Sequence, residues 1–227
     1  LAFVLSACVK EDLSECQHEL SIQFEYTLND RFEDLLSEQV AFLDLLIYNQ
    51  ERDLVEVRHL LRHNLLSGNI YSLPDLKKGE YTFVVWANAI DNLYTKNYTS
   101  KLTVMRVGLK PSNNEAAPVH GSLFYGSTNV DLNDLNLTQP TISLVKNTNL
   151  VHILIEEVGS DKVLKLSDYQ VEITGSNGTY NFENKTVDHQ TLNYKAAYAY
   201  PEEHILQVDF TLLRLLIGDD VKIKIRD

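Results

Sequence analysis

Two histidines four residues apart are the first residues whose spacing could serve chemistry. His59 and His63 have the spacing that places two zinc ligands on one face of a helix in zinc proteases. Leu60 stands where such an enzyme has its general-base glutamate, and the surrounding segment has the pattern of a strand and a loop. The sequence therefore predicts no zinc site at these histidines.

A second group of polar residues offers oxygen ligands. Asn129, Asp131, Asn133 and Asp134 lie close together, but a calcium loop would also need a glycine at its turn and a terminal glutamate. A solvated acidic turn is the simpler interpretation. Since the sequence also lacks the serine-hydrolase, dinucleotide and P-loop motifs, we expect neither an enzyme nor a bound cofactor or metal.

The composition restricts the possible partners and the fold. The 227 residues carry a formal net charge of −12, which argues against nucleic acid, because a phosphate backbone requires clustered Lys and Arg. Twelve tyrosines and eight phenylalanines favour strands, since aromatic side chains fit a half-buried pleated surface. Beyond the N-terminus no stretch approaches the roughly 18 apolar residues of a spanning helix. Any membrane contact is therefore expected to be an anchor.

The N-terminus contains the sharpest motif. Leu5, Ser6, Ala7 and Cys8 match the lipobox of bacterial lipoproteins, in which a Leu and two small residues precede a Cys that receives a diacylglycerol. The preceding residues resemble the end of a signal peptide. The sequence therefore predicts Cys8 as a lipidated mature N-terminus, with Cys16 as the remaining free cysteine and no disulfide between the two.

The three residues Lys10, Glu11 and Asp12 follow the lipobox almost directly. A lysine followed by two acidic residues at this place resembles the surface-export signal of Bacteroidetes lipoproteins. A solvated tether explains the same residues, and both interpretations stay open. The export interpretation predicts an outer-membrane, lipid-anchored protein that faces the cell exterior.

The rest of the chain has the pattern of short strands with almost no helix. Residues Leu20–Leu28 alternate strictly between apolar and polar, which is typical of a strand with one buried face. The hydrophobic segment Tyr81–Ala87 and residues 101–107 are further predicted strands. We expect an all-β protein of two tandem β-sandwich domains. The predicted division is 1–18 for the signal-peptide remnant, lipobox and tether, 19–139 for the first sandwich and 140–227 for the second. The second sandwich is expected to be incomplete, since its last strand runs to the final residue.

Several segments in a fixed order resemble a known family, the FimB/Mfa2 fimbrial anchor lipoproteins of Bacteroidales. The most telling are the Gly-x-Tyr-x-Phe-Val-x-Trp-x-Asn stretch and the Leu-Phe-Tyr-Gly stretch. The matching segments are the lipobox at Cys8, Cys16, the strand Ile22–Tyr26, a strand ending at Tyr48, the turn Lys78–Tyr81, Phe83–Asn88 and Leu123–Gly126. The resemblance covers about residues 5–155.

This resemblance implies two transthyretin-like sandwiches held in the outer membrane by lipid at the base of a fimbria. It also implies an anchor that limits fimbrial polymerisation and joins a fimbrial stalk subunit by strand exchange, which is the addition of a strand to an open sheet edge. An anchor would keep its own N-terminal strand, here Leu20–Leu28, in place.

Two alternatives stay open. A stalk or tip subunit of the same system would have its N-terminal strand removed by a protease, and Arg31 is the early candidate for that cleavage. A surface glycan-binding lipoprotein would need exposed aromatic platforms. The candidates for these platforms are Tyr94, Tyr98, Tyr194, Tyr198 and Tyr200.

Overall fold

The structure is a computed structural model that describes residues 18–112, 115–116, 121–133, 139–156, 164–165, 168–202 and 205–226. Within these residues the chain forms many short strands and one short α-helix, so the all-β fold class is confirmed. No helix in this part of the chain has the length and apolar character needed to cross a membrane.

Up to residue 133 the described residues form ten strands and the helix. They are β1 (His18–Glu25), α1 (Leu36–Gln39), β2 (Phe42–Asn49), β3 (Leu54–Leu61), β4 (Ile70–Leu76), β5 (Glu80–Ala87), β6 (Tyr94–Asn97), β7 (Arg106–Leu109), β8 (Pro111–Ser112), β9 (Glu115–Ala116) and β10 (Phe124–Asp131). From residue 139 onward the described residues form ten further strands. They are β11 (Thr141–Ser143), β12 (Val145–Lys146), β13 (Thr148–Glu156), β14 (Gln170–Gly175), β15 (Thr179–Asn181), β16 (Thr186–Val187), β17 (Leu192–Tyr194), β18 (Ala197–Glu202), β19 (Ile205–Leu213) and β20 (Lys222–Arg226).

Two of the sequence-predicted strands differ from the observed ones. The alternation predicted a strand to Leu28, but β1 ends at Glu25, because the backbone of Tyr26 bonds instead to the Asp34 side chain at 2.9 Å. A strand was also predicted over 101–107. There the chain forms a 3-10 turn first, which buries Leu102 and Met105 three residues apart, and β7 begins only at Arg106.

Two sheets enclose the first hydrophobic core. A three-stranded sheet has the order β11-β1-β4, and a five-stranded sheet has the order β12-β10-β5-β2-β3. The alternation of β1 places Ile22 and Phe24 in the core between them, where both are fully buried. Because β11 and β12 lie after residue 140, this sandwich takes strands from both sides of the predicted domain boundary.

Three further sheets enclose the second core. Their orders are β13-β19-β18, β20-β14-β17-β9-β8 and β16-β15-β7-β6. Strands β7 and β9 precede residue 140, yet they pair with β15 and β17. The division of the chain into domains at residue 140 stays a prediction, and the observed pairing crosses that position in both directions.

The five-stranded sheet of the first sandwich, which we call the central sheet, is buried on both faces along most of β2 and β5. Phe83 and Val85 of β5 lie in the first core, whereas the alternate residues Val84 and Trp86 lie in the second. A strand covered on both faces needs a continuous apolar run, and Phe83–Ala87 provides one. The central sheet therefore joins the two halves of the protein.

Candidate functional site

The residues predicted to attach the chain to lipid lie outside the described residues. They are Leu5, Ser6, Ala7 and Cys8 of the lipobox and Lys10, Glu11 and Asp12 of the tether. Cys16 and Asp134 lie outside the described residues as well. The lipidation and export signals therefore stay predictions from the sequence.

The two histidines at zinc spacing lie in different local structures. His59 is on β3, and His63 is in the 3-10 turn Arg62–Asn64 that follows the strand. The Nδ1 atom of His59 lies 2.7 Å from the Oδ1 atom of Asp44 on β2. Among the described residues no group of three or more His, Cys, Asp or Glu side chains could hold a metal ion.

The acidic segment after β10 forms a local turn. The Oδ1 atom of Asp131 accepts hydrogen bonds from the backbone nitrogen of Asn133 at 2.8 Å and from its side-chain amide at 2.9 Å. An Asp that bonds to the backbone two residues later is an Asx turn. The oxygen atoms of Asp131 thus stabilise the chain reversal itself.

The five tyrosines considered as glycan platforms separate into two groups. Tyr94 and Tyr194 are buried in the second core, and Tyr98 is half-buried with its hydroxyl group bonded to Asp44. Tyr198 and Tyr200 on β18 are exposed. Burial removes Tyr94 and Tyr194 from any ligand, and the bond to Asp44 holds Tyr98 in place, so the aromatic-platform hypothesis retains the exposed β18 pair.

A buried carboxylate forms a charged cluster that the sequence patterns did not reveal. Asp44 interrupts the apolar β2 and is only 2% exposed. Its Oδ2 atom accepts a hydrogen bond from the Tyr98 hydroxyl at 2.8 Å and lies 3.2 Å from the Lys96 Nζ atom, which also contacts Asp91 at 2.6 Å. A single acidic residue within an apolar strand was the available signal, because a buried carboxylate needs partners.

Burial and neighbouring charges shift the pKa values of Lys96 and Tyr98 in this cluster. Burial opposes the charge of Lys96, but the carboxylates of Asp91 and Asp44 outweigh it and raise the pKa of the ammonium group. Burial and the neighbouring Asp44 carboxylate raise the pKa of Tyr98, which therefore keeps its proton as a donor. The cluster joins β2 to β6 and its following loop, so it fastens the central sheet to the four-stranded sheet.

The asparagine at the end of the Phe83–Asn88 motif has a clear structural role. Its side chain accepts a hydrogen bond from the Ala41 backbone nitrogen at 2.9 Å and donates to the Gln39 and Ser122 carbonyl oxygens at 2.7 and 3.1 Å. Asn88 has a φ of 57°, a left-handed conformation that Asn tolerates. One side chain thus holds together the starts of β2 and β10 and the end of β5.

The glycine of the Leu-Phe-Tyr-Gly motif allows a close approach between strands. A Cβ atom on Gly126 would lie 2.6 Å from Leu144 Cδ2 and 2.8 Å from Ile142 Cγ2. The chain between β11 and β12 crosses β10 at this point, and only a residue without a side chain leaves enough room.

The strand β20 forms one edge of its sheet within the described residues. β20 pairs with β14 on one side, and the described residues place no strand on its other side. Ile223 lies opposite Ile173, and Ile225 lies opposite Val171. Ile173 and Val171 are buried in the second core, whereas Ile223 and Ile225 on the same face are 55% and 54% exposed.

This arrangement offers both interactions that a bound strand requires. The open side of β20 presents backbone donors and acceptors, and its inner face presents two uncovered isoleucines. The basic residues Lys222, Lys224 and Arg226 alternate with the isoleucines and point to the opposite face. Lysines on an edge strand discourage unspecific pairing, so a partner strand would have to match the apolar face.

Comparisons with known structures agree with this fold. A proposed polysaccharide-binding protein from Bacteroides thetaiotaomicron matches with a TM-score of 0.81 at 24% sequence identity, and the match covers 91% of this chain and 75% of that protein. A proposed adhesin from Bacteroides ovatus matches with a TM-score of 0.82 at 22% identity, over 93% of this chain and 74% of the adhesin. The fimbrial anchor protein Mfa2 from Porphyromonas gingivalis matches with a TM-score of 0.73 at 20% identity, over 92% of this chain and 78% of Mfa2. At these identities the likeness establishes the fold.

The sequence itself establishes the family. No curated protein matches it significantly. The profile of a protein family, however, matches residues 13–227, which is nearly the whole chain and includes the described strands from β1 to β20. The chain belongs to the family of the fimbrillin-A associated anchor proteins Mfa1 and Mfa2.

Proposed function

We propose that this protein is a lipid-anchored outer-membrane subunit that attaches a fimbria to the cell and limits its polymerisation. Membership in the anchor family gives it a fimbria-associated role in the cell envelope. The observation that carries the finer proposal is the retained strand β1, which is paired on both sides and buries Ile22 and Phe24. The candidate contact for a stalk subunit is the edge of β20, which is open within the described residues.

A strand from a fimbrial stalk subunit would complete the second sandwich at this edge. Ile223 and Ile225 already share a face with buried core residues, so an added strand with apolar residues at alternate positions would extend the same core. Covering a half-exposed isoleucine contributes about 1 kcal/mol, and the new backbone hydrogen bonds fix the register. The attachment would therefore combine apolar burial with a specific strand pairing.

The N-terminal strand explains why growth would stop at this subunit. β1 lies in the middle of its sheet, where Gln23 pairs with Thr141 on one side and with Ile70 on the other. Ile22 and Phe24 are fully buried in the first core. A subunit that keeps this strand in place offers no vacant groove at that end, so it accepts one neighbour and ends the polymer.

A photo-crosslinking experiment tests the stalk contact in the native bacterium. A benzoylphenylalanine in place of Ile225 is expected to form a crosslink to a fimbrial subunit, because this side chain faces the added strand. The same group in place of Val55, a half-exposed residue on the edge strand β3 of the central sheet, is the matched control. A crosslink from position 225 only to this chain's own residues, or equal crosslinks from both positions, would contradict the proposal.

The lipid anchor has its own test and control. Labelled palmitate should enter the full-length precursor, and Cys8→Ala should abolish the label, whereas Cys16→Ala should leave it unchanged. Labelling that survives Cys8→Ala would refute lipidation at this residue. Loss of the anchor should also release fimbriae into the medium, which electron microscopy of washed cells would reveal.

The length of the mature chain separates the anchor from a stalk or tip subunit. Arg31 is exposed and forms ion pairs with Glu33 at 2.9 Å and Glu38 at 3.0 Å. Cleavage after Arg31 would remove β1 and open the first core. N-terminal analysis of the protein from cells should find a chain that begins at Cys8, and a chain that begins at Phe32 would identify a stalk or tip subunit instead.

A further inference from the structure

A polar groove crosses the face of the central sheet where the second half of the protein no longer covers it. It has two adjoining sections of about 430 and 390 Å³. Arg52, Thr82 and Asn129 line both sections, so the two form one continuous groove. Sections of this size lie within the range of small-ligand sites, which occur preferentially between packed units.

Neighbouring strands build the floor of the groove, and two turns build its walls. Thr82 on β5 lies opposite Asn129 on β10, and the Thr82 hydroxyl donates to the Asn129 Oδ1 atom at 2.9 Å. The β2–β3 turn brings Arg52 to one side, with its Cζ atom 6.0 Å from the centre of the Phe182 ring. The turn after β15 supplies Phe182 and Glu183 at one end.

The charge of the groove restricts the ligand. Glu80, Asp131 and Glu183 contribute three carboxylates, whereas Arg52 contributes one cation. Glu183 is paired with Lys185 at 2.8 Å, so Glu80 and Asp131 give the groove its negative charge. Phosphate, sulfate or carboxylate ligands would therefore be repelled. An anionic polymer is excluded for the same reason.

The position of the groove restricts the ligand further. Its floor is the face of β5 and β10. Both edges of β5 are paired within the central sheet, with β2 and β10, whereas β12 pairs with β10 only at Phe124 and Tyr125. An extended peptide therefore finds no free backbone on β5 along the floor of the groove. The available contacts come from amide, hydroxyl, guanidinium and carboxylate side chains, which are the groups that pair with the hydroxyls of a sugar.

We infer that this groove binds an uncharged oligosaccharide. Thr82, Asn129 and Arg52 would bond to sugar hydroxyls at its centre, and Phe182 would pack against an apolar sugar face at one end. This site is separate from the β20 edge and does not depend on the fimbrial role. It would allow a subunit fixed at the cell surface to hold polysaccharide.

The test uses the full mature chain on an array of uncharged and acidic glycans, followed by calorimetric titration of the best ligand. Asn129→Ala should weaken binding at least tenfold, and Phe182→Ala should weaken it as well. Asn193→Ala is the matched control, because this exposed asparagine lies on β17 away from the groove. Thermal unfolding of each variant establishes that the fold is retained.

Three outcomes would overturn the inference. The first is no saturable binding of any uncharged glycan at millimolar concentration. The second is binding that Asn129→Ala and Phe182→Ala leave unchanged, which would place the ligand elsewhere, for example on the exposed Tyr198 and Tyr200. The third is a preference for sulfated or acidic glycans. Crosslinking at position 225 reports on the fimbrial contact independently of all three.

Discussion

The indole ring of Trp86 stacks on the phenol ring of Tyr180, with ring centres 6.1 Å apart and planes inclined by 28°. Trp86 belongs to the central sheet and Tyr180 to β15. Tyr125 packs against the edge of the same indole at 5.0 Å and donates a hydrogen bond to the Phe182 carbonyl oxygen at 2.6 Å. These aromatic contacts therefore join the two halves of the protein.

Replacing Trp86 by Ala should destabilise the protein strongly. The side chain is fully buried, and removing a core aromatic costs about 3–5 kcal/mol. Trp86→Phe should cost clearly less, because the indole nitrogen has no hydrogen-bond partner within the described residues and only ring volume is lost. Urea unfolding measures both variants. If Trp86→Ala and Trp86→Phe lower the free energy of unfolding equally, the stacked ring area does not determine how much this contact stabilises the protein.

Two substitutions at Asn88 should separate hydrogen bonding from backbone strain. Asn88→Ala loses three hydrogen bonds and places an alanine at φ 57°, whereas Asn88→Gly loses the bonds without the strain. We expect Ala to be the less stable variant by about 1 kcal/mol. Thermal unfolding compares the two. A glycine variant as stable as the native protein would contradict the role assigned to the side chain.

The two carboxylates that contact Lys96 should differ sharply in importance. Asp44→Ala should destabilise the protein by about 3 kcal/mol, because it removes a buried charge that three side chains share. Asp91→Ala is the control, since this exposed carboxylate should matter little. Denaturant unfolding at neutral pH gives both values. Similar effects of the two substitutions would mean that Asp44 is not the centre of the cluster.

The protein should unfold at alkaline pH. Burial raises the pKa of Tyr48 from its ordinary 10.0 to about 12, so the folded state disfavours its ionisation. This contribution is complete below pH 10, declines above it and is lost as the pH passes through about 12. Burial also raises the pKa of Tyr94, Tyr180 and Tyr194. Tyrosinate absorbance and far-ultraviolet circular dichroism should therefore change together.

The control for this prediction is Tyr48→Phe, which keeps the ring and removes the ionisable group. The Tyr48 hydroxyl makes only a 3.4 Å bond to the Thr99 carbonyl oxygen, so stability at neutral pH should change little. The pH at the midpoint of alkaline unfolding should be higher in this variant than in the native protein. If tyrosinate absorbance is complete while the fold persists, burial of these hydroxyl groups does not control alkaline stability.

Local sequence patterns predicted the positions of strands more successfully than the pairing and packing of those strands. The alternation of β1 identified Ile22 and Phe24 as core residues, and both are fully buried. The apolar run Tyr81–Ala87 correctly predicted a strand, but not that its alternate residues belong to two different cores. A continuous apolar run requires cover on both faces, and the run itself does not specify what provides that cover.

The candidate sites show the same limit. Asp44 is a lone carboxylate in an apolar strand, but its partners Lys96 and Tyr98 lie about fifty positions later in the sequence. Among the groove residues, Arg52 and Thr82 belong to no motif, and Asn129 belongs only to the cluster of possible oxygen ligands; strand ends and turns bring the three together. Neither arrangement could be found from spacing, because each depends on pairing between distant strands.

By itself the sequence determined the all-β class and the family, through period-two alternation and the order of a few motifs. It also predicts the lipid anchor at Cys8. Only the tertiary structure decided that the alternate isoleucines of β20 are uncovered, whereas their neighbours on β14 are buried. The physical reason is that alternation is a local property of one strand, whereas burial depends on what the rest of the chain places against it.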